Sequence, residues 1–174
     1  MVKTNECVKE WQATIEALGQ GKQTIFIRVY PTRKDGFLLY PTKNYTIKDT
    51  YLQGFKKENH DFVESNSQSG SGIEIKYYAD CVDVIELPLN KLRSLNKFHI
   101  WTTDHVKSYI KNRKAYLWIL RVYELESPEN VTTATGQIYA KINKNIDLTN
   151  MKPVLTDQEF NDSSKKIKKV LNLI

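Results

Sequence analysis

The sequence predicts an α+β domain whose strands curl into a small, mixed or partly closed β-barrel, with helices flanking it at both ends. Three observations lead to this. Apolar residues recur at helical spacing near each terminus, and the stretch between them is rich in β-branched and aromatic runs. Nothing alternates strand with helix in the manner of parallel βαβ proteins. At 174 residues the chain reads as one domain, residues 1–174, long enough to bury its own core.

Val8, Trp11, Ile15 and Leu18 are spaced for one face of a first helix, with Glu10, Gln12 and Glu16 on the wet side and Gly19-Gln20-Gly21 as its stop. Thr24 to Tyr30 reads as a strand, Pro31 to Gly36 as a turn cluster, and Phe37 to Tyr40 as the second arm of a hairpin covered by that helix. Thr46 to Asp49 can open a second helix with Ile47, Tyr51 and Phe55 on one face. The run from Ser65 to Gly72 is polar, small and aperiodic, so a flexible loop is expected over about residues 62–72, as a connector or a lid. Ile73 to Leu87 alternates as an extended segment whose phase shifts at Asp80-Cys81, the mark of a bulge.

Pro88-Leu89-Asn90 ends that strand, and a short helix with Leu92 and Leu95 leads to a dense corner, Phe98 to Val106. The corner holds a tryptophan, two of the three histidines and a helix start. Thr102 or Thr103 can cap the helix running from Asp104 to about Asn112. A helix start disfavours imidazolium, so His105 is expected neutral. Tyr116 to Leu125 is the strongest strand and is apolar on both faces, so it belongs centrally. Gln137 to Ile142 is one more strand. Thr156-Asp157-Gln158-Glu159 is a capping box, Leu155 can staple to Phe160, and Ile167, Val170, Leu171 and Ile174 give the last helix its buried face.

A net charge of +6 and a pI near 9.1 favour acidic partners, nucleic acid first and an anionic membrane surface second. Cys7 and Cys81 lack close-spaced partners, which argues for reduced thiols and against a zinc site or a disulfide framework. The start has no apolar signal run and no segment is apolar for long enough to span a bilayer, so a cytoplasmic protein without a membrane partner is expected.

Four pieces in order carry a resemblance: Gly21-Lys22-Gln23-Thr24-Ile25, Phe37-Leu38-Leu39-Tyr40-Pro41-Thr42, His99-Ile100-Trp101-Thr102 with His105-Val106, and Leu120-Arg121-Val122-Tyr123. Together they resemble the prokaryotic family known as domain of unknown function number eighteen hundred and two, from the first helix to the end of the strongest strand and on toward the tail. The resemblance implies a restriction-modification or defence context, with a restriction-endonuclease protein as a partner. The family usually follows its first strand with a basic, glycine-rich turn. Here Arg28 is followed by Val29-Tyr30-Pro31, which leaves a role built on that turn without support. The short β-rich core with a helix before its first strand also resembles, by fold analogy, the PUA-like barrels that read modified bases in restriction systems.

Candidate residues follow from this. Arg28 and Arg121 each interrupt an apolar strand, where a guanidinium needs a carboxylate, carbonyls or a phosphate. They either line a cleft and hold phosphate or form structural pairs with Glu86, Asp80 or Asp83. Trp101 and His99, with Tyr40 and Tyr45 from another segment, can box an extruded base, or Trp101 is a core anchor with His99 its satisfied neighbour. Thr42 and His105 join that nucleic-acid-binding set, and Lys165, Lys166, Lys168 and Lys169 supply a basic tail. His99, Asp104 and His105 have the ingredients of a metal site, but adjacent first-turn residues point apart, so no metal is expected. The enzymatic rival is Glu74-Ile75-Lys76, which with Asp61 resembles the Mg²⁺-dependent nuclease core of restriction enzymes. The reading is a non-enzymatic nucleic-acid-binding module without cofactor, with a Mg²⁺ nuclease and a protein-interaction subunit as the alternatives.

Overall fold

In the computed structural model, which describes residues 2–67, 70, 72–132 and 134–174, the chain runs β1 (Lys3–Trp11), α1 (Gln12–Gly19), β2 (Ile25–Arg28), β3 (Gly36–Thr42), α2 (His60–Ser65), β4 (Ile73–Leu87), α3 (Thr103–Ile110), β5 (Ala115–Val131), β6 (Tyr139–Asp147), β7 (Lys152–Pro153) and α4 (Asp157–Val170). The seven strands form one mixed sheet in the order β2-β5-β4-β3-β1-β6, with the short β7 also on β5. Among the described residues only the β1–β3 pair is parallel. The strand path does not return on itself, so the expected barrel is corrected to an open, curled sheet flanked by helices.

The first helix begins later than its apolar spacing suggests. Residues 3–11 are a strand because Cys7 to Trp11 pair with Leu38 to Thr42 on one side while Glu6, Cys7 and Val8 pair with Lys141, Ala140 and Tyr139 on the other. Two ladders of backbone hydrogen bonds outweigh a local helical pattern. α1 is then buried nearly all round, Glu16 included, so Glu16 is not on a wet face. The expected hairpin also fails. β2 pairs with β5, and β3 with β1 and β4, because the apolar β5 takes partners on both its edges and so stands between the two arms.

Residues 46–55 form short 3₁₀ turns, not an α-helix, and Ile47 is exposed. The chain from Phe62 to Ser65 lies within α2, so the expected flexible loop is shorter there, and Gln68, Ser69 and Ser71 lie outside the described residues. Two other expectations hold. β4 slips register between Cys81 and Asp83, and β5 is central, between β2 and β4. β1, β2, β3, β4 and β5 together enclose an apolar interior of Val8, Phe26, Phe37, Leu39, Tyr77, Trp118 and Leu120. No helix among the described residues is long and apolar enough to cross a membrane.

α4 starts at the expected capping box, with Thr156 Oγ1 accepting from the Glu159 N–H at 3.1 Å and Glu159 Oε1 accepting from the Thr156 N–H at 3.0 Å. Ile167 and Leu171 are buried, whereas Ile174 is exposed, because the helix ends at Val170 and Asn172 turns the chain at φ 60°. Arg121, in the middle of the sheet, reaches Asp157 at 3.0 Å and donates to the Leu155 carbonyl at 2.8 Å, tying the start of α4 to β5. Thr156→Ala removes one arm of the cap and is expected to cost about 1 kcal/mol of stability, read as a shifted denaturant midpoint at unchanged slope.

Candidate functional site

The corner from Phe98 to Val106 is built as its sequence suggests and is then clamped. Thr102 Oγ1 accepts from the His105 N–H at 3.0 Å, capping α3. Gly54 to Lys56 lies antiparallel against it, with Thr102 N–H donating to the Gly54 carbonyl at 3.0 Å and Lys56 N–H to the Ile100 carbonyl at 2.9 Å. A Cβ on Gly54 would come within 2.9 Å of His105 Nδ1. Only glycine lets this strap lie so close to the ring.

Beside the corner opens a cleft of about 650 Å³, bounded by the end of β1, the end of β2, α3 and residues 136–138. Trp11, Tyr30, Trp101, His105 and Tyr109 provide its rings, and Thr42, Lys9 and Arg113 also line it. Trp11 is held from behind by Tyr45, stacked at 4.8 Å between centroids and 15° between planes, and His105 lies 5.3 Å from Trp11. Trp101 turns its indole N–H inward to Thr14 Oγ1 at 3.3 Å, so its ring, not its donor, serves the cleft.

The buried charge in the lining is one ion pair. Glu10 Oε2 meets an Arg28 terminal nitrogen at 2.7 Å, with the two side chains only 9% and 10% exposed. The other Glu10 oxygen accepts from the Trp11 N–H at 2.7 Å. The Arg28 guanidinium lies over the Phe26 ring at 4.3 Å, and its Nε is buried without a hydrogen-bond partner. Burial works against the Arg28 charge, and Glu10 and neighbouring groups more than offset it, so the guanidinium stays above its ordinary pKa.

Burial lowers the pKa of His105, with Glu10 opposing in part, so the ring presents a neutral imidazole to the cleft as expected. The cause is desolvation, which the sequence did not reveal. His99 is pushed down to about 3, first by burial and then by Lys56 nearby. Its Nδ1 accepts from the Trp101 N–H at 3.2 Å. With 2% of its surface exposed, His99 supports the corner from inside and is not in the cleft lining.

The other sequence-selected residues divide. Arg28, Thr42, Trp101 and His105 come together in the cleft. Tyr45 stands behind Trp11, its hydroxyl accepting from the Ala13 N–H at 3.1 Å. Tyr40 is buried in a separate cluster with Cys7, Leu38 and Ile142, its hydroxyl accepting from the Ala134 N–H at 3.3 Å. Arg121 pairs with Asp157, so the two arginines do not share a cleft. Each finds a carboxylate, though not Glu86, Asp80 or Asp83. Glu86 pairs with Lys114 at 3.4 Å and Asp83 with Lys168 at 3.3 Å. Lys165, Lys166, Lys168 and Lys169 lie along α4.

Asp61, Glu74 and Lys76 do not converge. Lys76 Nζ is 2.7 Å from the buried Glu16 carboxylate, which also accepts from the Tyr77 hydroxyl at 3.1 Å. Glu74 shares a shallow groove with that pair, while Asp61 sits on α2. No group of three or more metal-ligating side chains occurs among the described residues. Sequence reasoning missed Glu10, Trp11, Tyr30, Tyr109 and Arg113. The one available signal was a carboxylate-tryptophan step directly before a helix, and it was absorbed into a helical reading.

A family model described as Domain of unknown function (DUF1802) matches residues 7–166. No curated protein matches the chain. Among solved structures, ASCH from Zymomonas mobilis is similar at 13% identity, covering 94% of this chain and 93% of that one, with a TM-score of 0.50. A serine-to-alanine variant of the same protein gives 12% identity, coverage of 94% and 98%, and a TM-score of 0.50. A tyrosine-to-phenylalanine variant gives 12%, 92% and 96%, and 0.51. The shared feature is the fold.

His99 makes a pH prediction. As pH falls through the ordinary histidine value of 6.5 the unfolded chain takes up this proton, while the folded chain resists until about 3. Stability is therefore complete above that window and falls across it on acidification, by up to about 1.4 kcal/mol per pH unit. His99→Asn keeps an acceptor for the Trp101 N–H and removes the titration. Denaturant midpoints recorded between about pH 7 and pH 4 should slope less in that variant, and an unchanged slope would place the acid sensitivity elsewhere.

Proposed function

The chain belongs to the DUF1802 family, and from its cleft we propose that this member is a non-enzymatic nucleic-acid-binding module that admits one unstacked base. The observation that carries the reading is the composition of the cleft. Aromatic rings, a neutral imidazole and one internally compensated ion pair line a space of about 650 Å³. A flat, uncharged, polar-edged ligand suits such walls. Aromatic rings stack on any base, and each such stack contributes about 1–3 kcal/mol. Readers and enzymes that inspect a base draw it out of its stack into a pocket of this kind.

The surroundings supply the charge. Lys9 and Arg113 stand in the lining beside the uncharged rings, and the chain as a whole carries +6. Phosphates held by such cations bring a steep salt dependence. In this reading Arg28 is part of the pocket wall, while Lys165, Lys166, Lys168 and Lys169 meet the backbone elsewhere on the strand. The resemblance to PUA-like barrels that read modified bases adds support by fold analogy. A restriction or defence setting, with an endonuclease partner, completes the proposal on the family resemblance.

Fluorescence anisotropy with labelled single- and double-stranded oligonucleotides, plain and base-modified, across a salt series in EDTA tests this. Log affinity should fall linearly with log salt, and Arg113→Ala should flatten the slope by roughly one phosphate's contribution, about 0.7 to 0.9. Trp11→Ala and Tyr109→Ala should each weaken binding by about 1–3 kcal/mol. Absence of binding at low salt would sink the reading.

A further inference from the structure

We infer that the base this cleft selects is guanine, read by the Glu10–Arg28 pair; this rests on the base-binding reading above and names its ligand. The polar lining offers a carboxylate and a guanidinium locked side by side at 2.7 Å, both nine-tenths buried and both in the cleft wall. A guanidinium can only donate, and an ionised carboxylate can only accept. The wall therefore presents donors next to acceptors in a fixed order.

Guanine is the base whose edge answers that order in full. Going round the ring it shows two acceptors, N7 and O6, followed by two donors, the N1–H and the N2 amine. Arginine bonded to O6 and N7 is the commonest specific contact to this base, and the adjoining N1–H and amine then face the carboxylate. Adenine sets its N6 donor between the acceptors N7 and N1, so one of its acceptors falls against the carboxylate. Uracil has a single donor between two acceptors. Cytosine can face the pair in the reverse sense, with its N4 amine toward Glu10, and so makes three bonds where guanine makes four.

The pair is held for this task before any ligand arrives. Arg28 is stacked on Phe26 at 4.3 Å, and Glu10 is fixed by the Trp11 N–H at 2.7 Å. Trp11 is in turn backed by Tyr45 at 4.8 Å. Donors and acceptors that cannot reorient are left unpaired by a mismatched base, and a buried polar group left unpaired is what makes discrimination steep.

The test uses the full chain and oligouridines of about nine residues that carry one central guanine, adenine, cytosine, hypoxanthine or 7-deazaguanine. The guanine probe should bind tightest, with adenine and 7-deazaguanine weaker by about tenfold or more. Hypoxanthine, which lacks the amine, should fall between. Glu10→Gln leaves Arg28 unpaired in a buried position and can unfold the chain, so the base series on the unaltered protein carries the test. Salt-sensitive binding with no base preference, or with preference for another base, would overturn the guanine assignment and leave the module intact. Failure of every probe to bind at low salt would overturn the base-binding reading itself.

Discussion

Glu10 and Arg28 meet at 2.7 Å from β1 and β2, strands that have β5, β4 and β3 between them in the sheet. The edge strand β2 and the inner strand β1 share no ladder of backbone bonds, and a side-chain ion pair links them instead. Two charges so far out of water are costly unless each is answered by a partner of good geometry. Glu10 has Arg28 and the Trp11 N–H, and Arg28 has Glu10 and the face of Phe26. The cleft opens beside this contact, between the last residues of β1 and of β2. Its position, its charge compensation and its aromatic walls all depend on this contact.

The rest of the polar interior repeats the same solution. Glu16 is enclosed by Lys76 and Tyr77, and Arg121 is answered by Asp157 and the Leu155 carbonyl. His99 takes another course, remaining neutral and accepting one backbone hydrogen bond. These choices separate two electrostatic regimes. Among the buried groups of the cleft, charge is cancelled or avoided. Along α4, Lys165, Lys166 and Lys169 stay exposed, and Lys168 is answered by Asp83.

Much of the architecture was legible because its causes are local. The N-cap at Thr102, the capping box at Thr156, the bulge near Cys81 and the doubly apolar β5 each follow from neighbouring residues alone. The first strand was not legible. Val8, Trp11, Ile15 and Leu18 do fall at helical spacing, and only the partners supplied by β3 and β6, which arrive much later in the chain, convert the first half of that pattern to strand. With Lys9, Glu10 and Trp11 assigned to a helix, the heart of the cleft could not be seen. Arg28, Thr42, Trp101 and His105 were found because residues of their kinds stand out in any setting.

Local spacing and composition are enough for the α+β class, the central strand, the capped helices, the excess of positive charge and the corner from Phe98 to Val106, since all of these are read within a few residues or from overall content. Long-range packing was needed to show that the sheet stays open, that Arg28 pairs with Glu10 and Arg121 with Asp157, and that Trp11, not Tyr40, stands in the cleft. Those outcomes depend on which strands lie side by side. That order is set by long-range competition for hydrogen-bonding edges and for burial of the β5 faces, and no spacing within a single segment encodes it.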